Sequence, residues 1–273
     1  MDRPPGADPA WRRGATAVWE ALRDALFPRR CLGCRAFLPE PGVPSRGPSA
    51  CDPTAAIRPH LCRACREGVV AVGSPLCPRC GIPFRGGQGG DHLCGRCIEA
   101  PPVFRKARAA LVYDRTAVDL VQGLKYRNRL QLAGPLGRVL RRAYERGWQG
   151  DPADLVVPVP LHAARLRERG FNQAEILVRR WREPAPAAVA PPVAAGVLRR
   201  TRATAAQAGL GRQARERNIR GAFEVTQPQA IEGRRLLLVD DVFTTGSTAE
   251  ECARRLLAGG AARVDVLTLA RVP

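Results

Sequence analysis

No stretch of this chain is apolar over the roughly 20 residues that a helical membrane span needs. The N-terminus also lacks the succession of charge, apolar segment and small residues that marks a secretory signal. The expectation is a cytoplasmic chain without membrane insertion. Lysine is nearly missing as well, because Lys106 and Lys125 are the only lysines among 44 basic residues. A formal net charge of +19 ordinarily argues for a polyanionic partner such as nucleic acid. Here arginine carries it, in a chain also rich in alanine, proline and glycine, so it reads largely as a genome-wide bias and is weak evidence for a partner.

Cysteine, by contrast, is abundant, and a reducing compartment turns its ten residues toward metal rather than disulfides. Eight of them form four Cys-x-x-Cys pairs: Cys31/Cys34, Cys62/Cys65, Cys77/Cys80 and Cys94/Cys97. Two intervening residues let both sulfurs of a tight knuckle reach one ion, and two knuckles complete a tetrahedral S₄ shell. Four knuckles therefore predict two structural Zn²⁺ sites, whose eight thiolates together with the two ions lower the net charge from +19 to about +15. A redox Cys-x-x-Cys usually comes singly. Sequential pairing closes the shortest loops and is preferred, with interleaved pairing open. Cys51, His60 and His92 lie outside the knuckles and read as loop residues. Gly33, Gly81 and Gly95 fall where a knuckle often needs positive φ. Four thiolates leave no open coordination position, so neither site is expected to be catalytic.

The chain divides into three regions. Residues 1–30 read as an N-terminal arm or a short helix through Trp19, Leu22, Leu26 and Phe27, packed on the body. Residues 31–100 read as a double zinc ribbon with a Pro-, Gly- and Ser-rich insertion at Leu38 to Pro59. Past Pro101 and Pro102, residues 101–273 have the pattern of an α/β domain. Strands are expected at Ala107 to Tyr113, Asp154 to Pro160, Val197 to Leu198, Ala222 to Val225, Arg235 to Val239 and Arg263 to Ala270. Helices are expected at Thr116 to Lys125, Leu132 to Trp148 and Ala174 to Trp181.

The densest signal is Leu236 to Ala262. Leu236 to Val239 is a continuous apolar run, as in a parallel strand covered on both faces. Asp240 and Asp241 come next at its carboxyl end, where open α/β sheets bind ligands. Thr244, Thr245, Gly246, Ser247 and Thr248 then offer backbone N–H groups and hydroxyls to an anion at a helix start. The whole reads as a site for a phosphorylated sugar. A basic loop, Arg165 to Gln173, suits a second anionic group, with Gly170 permitting close approach. Arg200 to Gly221 is polar and poor in core residues, and two readings are open for it: a lid hinged at Gly209 and Gly211, or a surface helix.

Leu238-Val239-Asp240-Asp241-Val242 with Thr244 to Thr248 resembles the phosphoribosyl-pyrophosphate (PRPP) motif of type I phosphoribosyltransferases. The paired knuckles, Leu124-Lys125-Tyr126, Val157-Pro158-Val159-Pro160-Leu161, Arg169-Gly170-Phe171-Asn172-Gln173, Thr201-Arg202-x-Thr204-x-x-Gln207 and Arg217-Asn218 make the chain similar to the ComF family, associated with competence and DNA uptake. The resemblance implies a type I phosphoribosyltransferase-like α/β fold, a mostly parallel sheet with helices on both faces behind a small zinc-ribbon domain. It implies that Asp240 and Asp241 hold the ribose hydroxyls of PRPP, that Thr244 to Thr248 take its 5′-phosphate, and that Mg²⁺ accompanies the diphosphate. Arg169, Asn172 and Gln173 would lie near the pyrophosphate, and Arg202 and Gln207 in a lid. No protein nucleophile is needed, because placed charge stabilises departure of pyrophosphate from C1′. The function implied is PRPP binding or phosphoribosyl transfer. The alternative is a non-catalytic protein of competence that binds single-stranded DNA or DNA-processing partners.

Overall fold

A computed structural model of the chain describes residues 28–38, 52–84, 86, 89–182, 190–203 and 212–273, together with Trp19 and Leu26. Most of the expected N-terminal helix, the greater part of the Leu38 to Pro59 insertion with Cys51, and residues 183–189 lie outside those residues. Trp19 and Leu26 are exposed, where the expected helix would have packed them on the body.

Six strands are described: β1 (Ala107–Val112), β2 (Leu155–Pro158), β3 (Leu198–Arg200), β4 (Phe223–Val225), β5 (Arg235–Phe243) and β6 (Arg263–Arg271). The main sheet has the order β1-β6-β5-β2 with every pair parallel, and β3 and β4 form a small antiparallel ribbon. The helices are α1 (Arg63–Glu67), α2 (Gly95–Glu99), α3 (Arg115–Tyr126), α4 (Ala133–Gly147), α5 (Ala163–Arg169), α6 (Gln173–Val178), α7 (Arg212–Ile219) and α8 (Ser247–Ala258).

The apolar run of β5 is buried on both faces because successive side chains alternate across a strand. Leu237 and Val239 enter one core with α3, α4 and α6, while Leu236 and Leu238 enter another with α8 and the β3–β4 ribbon. All four are fully buried, and each contributes about 2 kcal/mol of transfer free energy. On α3, Ala117, Leu120, Val121 and Leu124 are buried at helical spacing, and Asp114 caps the helix by accepting from the Arg115 N–H. Gly137 lets α4 approach α6: a Cβ there would stand 2.5 Å from the Leu177 carbonyl oxygen.

The cysteine region is stitched to β1, an edge strand whose unpaired backbone groups would otherwise be exposed. Val72 N–H donates to Ala110 O, Val112 N–H to Val70 O, and Ala107 N–H to Arg79 O. Cys31, Ile57, Leu61 and Cys65 share the core of α3 and β1.

Two expectations are corrected. β5 does not end at Val239 but runs through the acidic pair to Phe243, because β6 supplies a pairing partner over that whole length. Arg165 to Gln173 is not a loop: α5 ends at Gly170, whose φ of 80° closes it, and α6 begins after Asn172.

At the other end of the sheet Asp265 is fully buried. It accepts two bonds from Arg105, at 2.9 and 2.7 Å, and one from Trp148 Nε1 at 2.8 Å. Removing the carboxylate would leave Arg105 Nε and Nη2 and the Trp148 indole N–H without their acceptor, with Arg105 held only by Asp151 through Nη1. Asp265→Ala is expected to lower unfolding free energy by about 3 kcal/mol, measured by urea denaturation, and an effect under about 1 kcal/mol would show that the network contributes little.

Candidate functional site

The carboxyl ends of β2 and β5 frame a cleft of about 490 Å³. Its floor is the end of β5, one wall is the stretch from Val159 through α5 to Asn172, and the other is the turn into α8. Asp240 is half-buried and Asp241 is buried. Each turns one carboxylate oxygen to the next backbone N–H, Asp240 Oδ1 to Asp241 and Asp241 Oδ1 to Val242, both at 2.8 Å. These bonds fix the orientation of both carboxylates.

Gly246 makes the turn possible. It caps α8 with φ 83°, and a methyl in place of its hydrogen would stand 2.6 Å from Phe243 Cζ. The Glu250 N–H donates to Gly246 O, the first helical bond, and the Ser247 N–H donates to Thr245 Oγ1 at 3.4 Å, so the turn is held by its own hydroxyls at the mouth of the helix. The Thr245 and Ser247 hydroxyls lie 2.8 Å apart. Small hydroxyl side chains, the backbone N–H groups of a helix start and the helix dipole together suit an anion.

The cations converge from elsewhere in the chain. Lys125 Nζ, at the end of α3, stands 2.5 Å from Asp241 Oδ2, an ion contact whose angles fall short of hydrogen-bond geometry. Arg169 lies 5.1 Å over the Tyr126 ring, and Arg200, at the end of β3, lines the cleft beside the acidic pair. Burial raises the Asp240 carboxyl to about 6, opposed by Lys125 and Arg200. Burial lowers the Lys125 ammonium to about 8, opposed by Asp240 and reinforced by Arg169. The raised acid stabilises the fold below its ordinary 3.8 and loses that contribution as pH rises through about 6. The depressed amine contributes above 10.5 and loses it as pH falls through about 8. Between about 6 and 8 both are charged.

Of the residues expected from sequence, Asp240, Asp241, Thr244, Gly246, Ser247, Thr248, Arg169, Asn172 and Gln173 line this one cleft. Thr245 supports the turn through Ser247. Asn172 is occupied structurally: its Oδ1 accepts from Ala174 N–H to cap α6, and its Nδ2 donates to Val159 O. Gln173 is buried with Oε1 unpartnered among the described residues. Arg202 donates to the carbonyls of Asn218 and Arg220, holding the end of α7 rather than lining the cleft. Gln207, with Gly209 and Gly211, lies outside the described residues, and α7 occupies the end of that segment. Sequence reasoning assigns no site role to Lys125, present only within a motif, or to Arg200. Lys125 carries a signal in its rarity, whereas Arg200 is one arginine among many.

The cysteines gather in sequential order: the sulfurs of Cys31, Cys34, Cys62 and Cys65 lie within 4.8 Å of one another, as do those of Cys77, Cys80, Cys94 and Cys97. Sulfurs on one tetrahedral Zn²⁺ stand about 3.8 Å apart, close to the 3.6 Å of Cys34–Cys62 and the 3.7 Å of Cys80–Cys94. Gly33 and Cys62 N–H groups both donate to Cys31 Sγ, as thiolate ligands require. Both Cys₄ groups fit structural zinc. His60 and His92 stand outside them, His92 stacking on Phe84. The glycine expectation needs correction: Gly81 alone of the three has positive φ, and its counterpart after the first knuckle is Arg35, at φ 69°. Gly33 instead makes room for Cys65 Sγ, and Gly95 is unconstrained.

A family model described as a double zinc ribbon domain matches residues 22–98. The DNA utilization protein YhgH of Escherichia coli K12 is 36% identical over 234 residues, covering 78% of this chain and 97% of that protein. Competence protein F of Haemophilus influenzae is 30% identical over 253 residues, covering 90% and 98%. Among solved structures, the glutamine PRPP amidotransferase of Bacillus subtilis aligns with 54% of this chain and 30% of its own at 21% identity and a TM-score of 0.33, too loose a likeness to bear on the site.

The turn itself can be tested. Gly246→Ala combines a positive φ with a clash on Phe243, so it is expected to cost about 2 kcal/mol, read as a lower Tm. An unchanged Tm would mean that the turn is free to rearrange.

Proposed function

The chain belongs to the ComF family, and from that premise we propose that its cleft binds PRPP and supports phosphoribosyl transfer with release of pyrophosphate. The observation that carries this reading is the junction of β5 and α8, where an oriented acidic pair and an anion cradle lie side by side with cations across the cleft. Asp240 and Asp241 accept hydrogen bonds from the two ribose hydroxyls. The 5′-phosphate lies on the Thr244–Thr248 turn, within the helix dipole. Lys125, Arg169 and Arg200 balance the diphosphate.

Mg²⁺ suits this chemistry as a companion of the diphosphate, bound mainly by phosphate oxygens and water. The protein's own acids fit a cation brought in with the ligand better than a resident one, because Lys125 already stands on Asp241. When bound, the ion would neutralise charge on the leaving pyrophosphate, and Asp240 and Asp241 would help to hold it through water. The chain's residues orient the ribose and place positive charge along the path of the leaving group, which favours a cation-like centre at C1′ without a nucleophile.

A second reading rests on the names of the relatives together with Arg165 and Arg169 of α5 at the cleft rim. In it the basic surface holds single-stranded DNA. Affinity for an oligonucleotide should then fall steeply as salt is raised, and a flat response removes this reading.

For PRPP, calorimetry at pH 7 with Mg²⁺ should show binding that Asp240→Asn and Asp241→Asn each weaken by tenfold or more, about 1.4 kcal/mol. Affinity should decline above about pH 8 as Lys125 loses its proton, and Lys125→Arg should remove that decline. Absence of any heat that the Asp variants abolish rejects PRPP as ligand.

A further inference from the structure

A buried guanidinium needs a counter-charge, and two arginines of the α/β body are placed to find theirs in the cysteine clusters. Arg129 is buried, with Nη1 and Nη2 donating to the carbonyls of Gly33 and Leu32, inside the first knuckle. Arg271, at the end of β6, is 3% exposed. Its Nη2 lies 3.7 Å from Cys80 Sγ, and its Nε and Nη1 have no hydrogen-bond partner among the described residues. Four thiolates on one Zn²⁺ make a net dianion, so a metal-loaded second centre is the counter-charge that Arg271 otherwise lacks.

Only the second of these contacts leads to the cleft. Arg271 is the register partner of Phe243 across β5 and β6, and its guanidinium lies 4.4 Å over the Phe243 ring. That ring is what Gly246 closes on: a methyl on Gly246 would meet Phe243 Cζ at 2.6 Å and Arg96 Nη2 at 3.5 Å. Arg96 itself sits between the ligands Cys94 and Cys97. The second knuckle pair therefore touches the turn twice, once through Arg271 and Phe243 and once through Arg96.

We propose that the second Cys₄ centre is a working part of the phosphate turn: zinc there holds Arg271 against Phe243, and Phe243 in turn holds the backbone of Thr244–Thr248. Arg271 and Phe243 are positioning residues, acting on a ligand only through the turn. The first centre, with Arg129, braces α3 and β1 and leaves the turn alone. The coupling stands apart from the ligand's identity, and its consequence for affinity rests on the proposed PRPP site.

The test compares full-length wild type with Arg271→Leu, Arg129→Leu and Phe243→Leu, measuring zinc content, hydrogen exchange of the 243–248 backbone, and PRPP affinity. Arg271→Leu should release one of two zinc ions more readily to a chelator and speed exchange in the turn about tenfold. Arg129→Leu should loosen the other zinc and leave exchange in the turn within about twofold. Phe243→Leu should keep both zinc ions and still speed exchange, which serves if Arg271→Leu does not fold. Unchanged exchange in the turn of Phe243→Leu, or equal acceleration in Arg129→Leu, overturns the proposal. Where wild type binds PRPP, affinity should fall in Arg271→Leu and Phe243→Leu but not in Arg129→Leu. Where it does not, the PRPP reading fails and exchange alone decides the coupling.

Discussion

A parallel strand buried on both faces has almost no place for polar side chains except at its carboxyl end, and β5 is built on that constraint. Its four leading apolar residues are sealed between two cores, so the polar groups that the strand brings to the cleft are concentrated at Asp240, Asp241 and the turn beyond. Desolvation then sets the electrostatics. The same burial that raises the Asp240 carboxyl lowers the Lys125 ammonium, and each charge is stabilised by the other. The cleft is thus a set of mutually dependent charges that one anionic, hydroxyl-bearing ligand could join.

The cysteine region solves a different problem with related physics. A four-stranded parallel sheet leaves β1 as an edge, and hydrogen bonds from the segments around Val70–Val72 and Arg79 cover it. The cost of placing thiolate clusters against a protein core is offset by arginines that the body sends toward them, Arg129 to the first and Arg271 to the second. Attraction between unlike charges in a low-dielectric setting therefore fastens the two parts of the chain, in addition to apolar contact. The zinc ribbon is part of the structure that surrounds the site.

Much of this was legible in the residues themselves. The Cys-x-x-Cys spacing determined both metal sites because the requirement is local, two sulfurs reaching one ion across a short loop. The apolar run at Leu236 to Val239 determined a doubly covered strand, and the Asp-Asp and Thr-Thr-Gly succession pointed to an acidic pair beside an anion cradle, again through near neighbours in sequence. The main helices and strands came from periodicity to within a few residues. One error lay where a partner strand decides the outcome, and another at a helix end closed by a single glycine. β5 continues past Val239 because β6 pairs with it, and the basic stretch at Arg165 coils into α5 because Gly170 can close a helix end.

Tertiary structure alone decided which distant residues meet. Lys125 reaches Asp241 across more than a hundred residues, and only the packing of α3 on the sheet brings them together. Arg200 joins the cleft because β3 pairs with β4 beside α8, while Arg202, two residues on, turns to the end of α7. The pairing of knuckles, left open by spacing, was settled by the positions of eight sulfurs. Composition obscured the rest: in a chain where arginine is everywhere, no sequence pattern separates Arg271, buried against Cys80 and Phe243, from an arginine at the surface. The order of residues by itself determined chemistry that lies along a few bonds of the chain. Burial and charge compensation across the fold determined which of many equivalent side chains act on it.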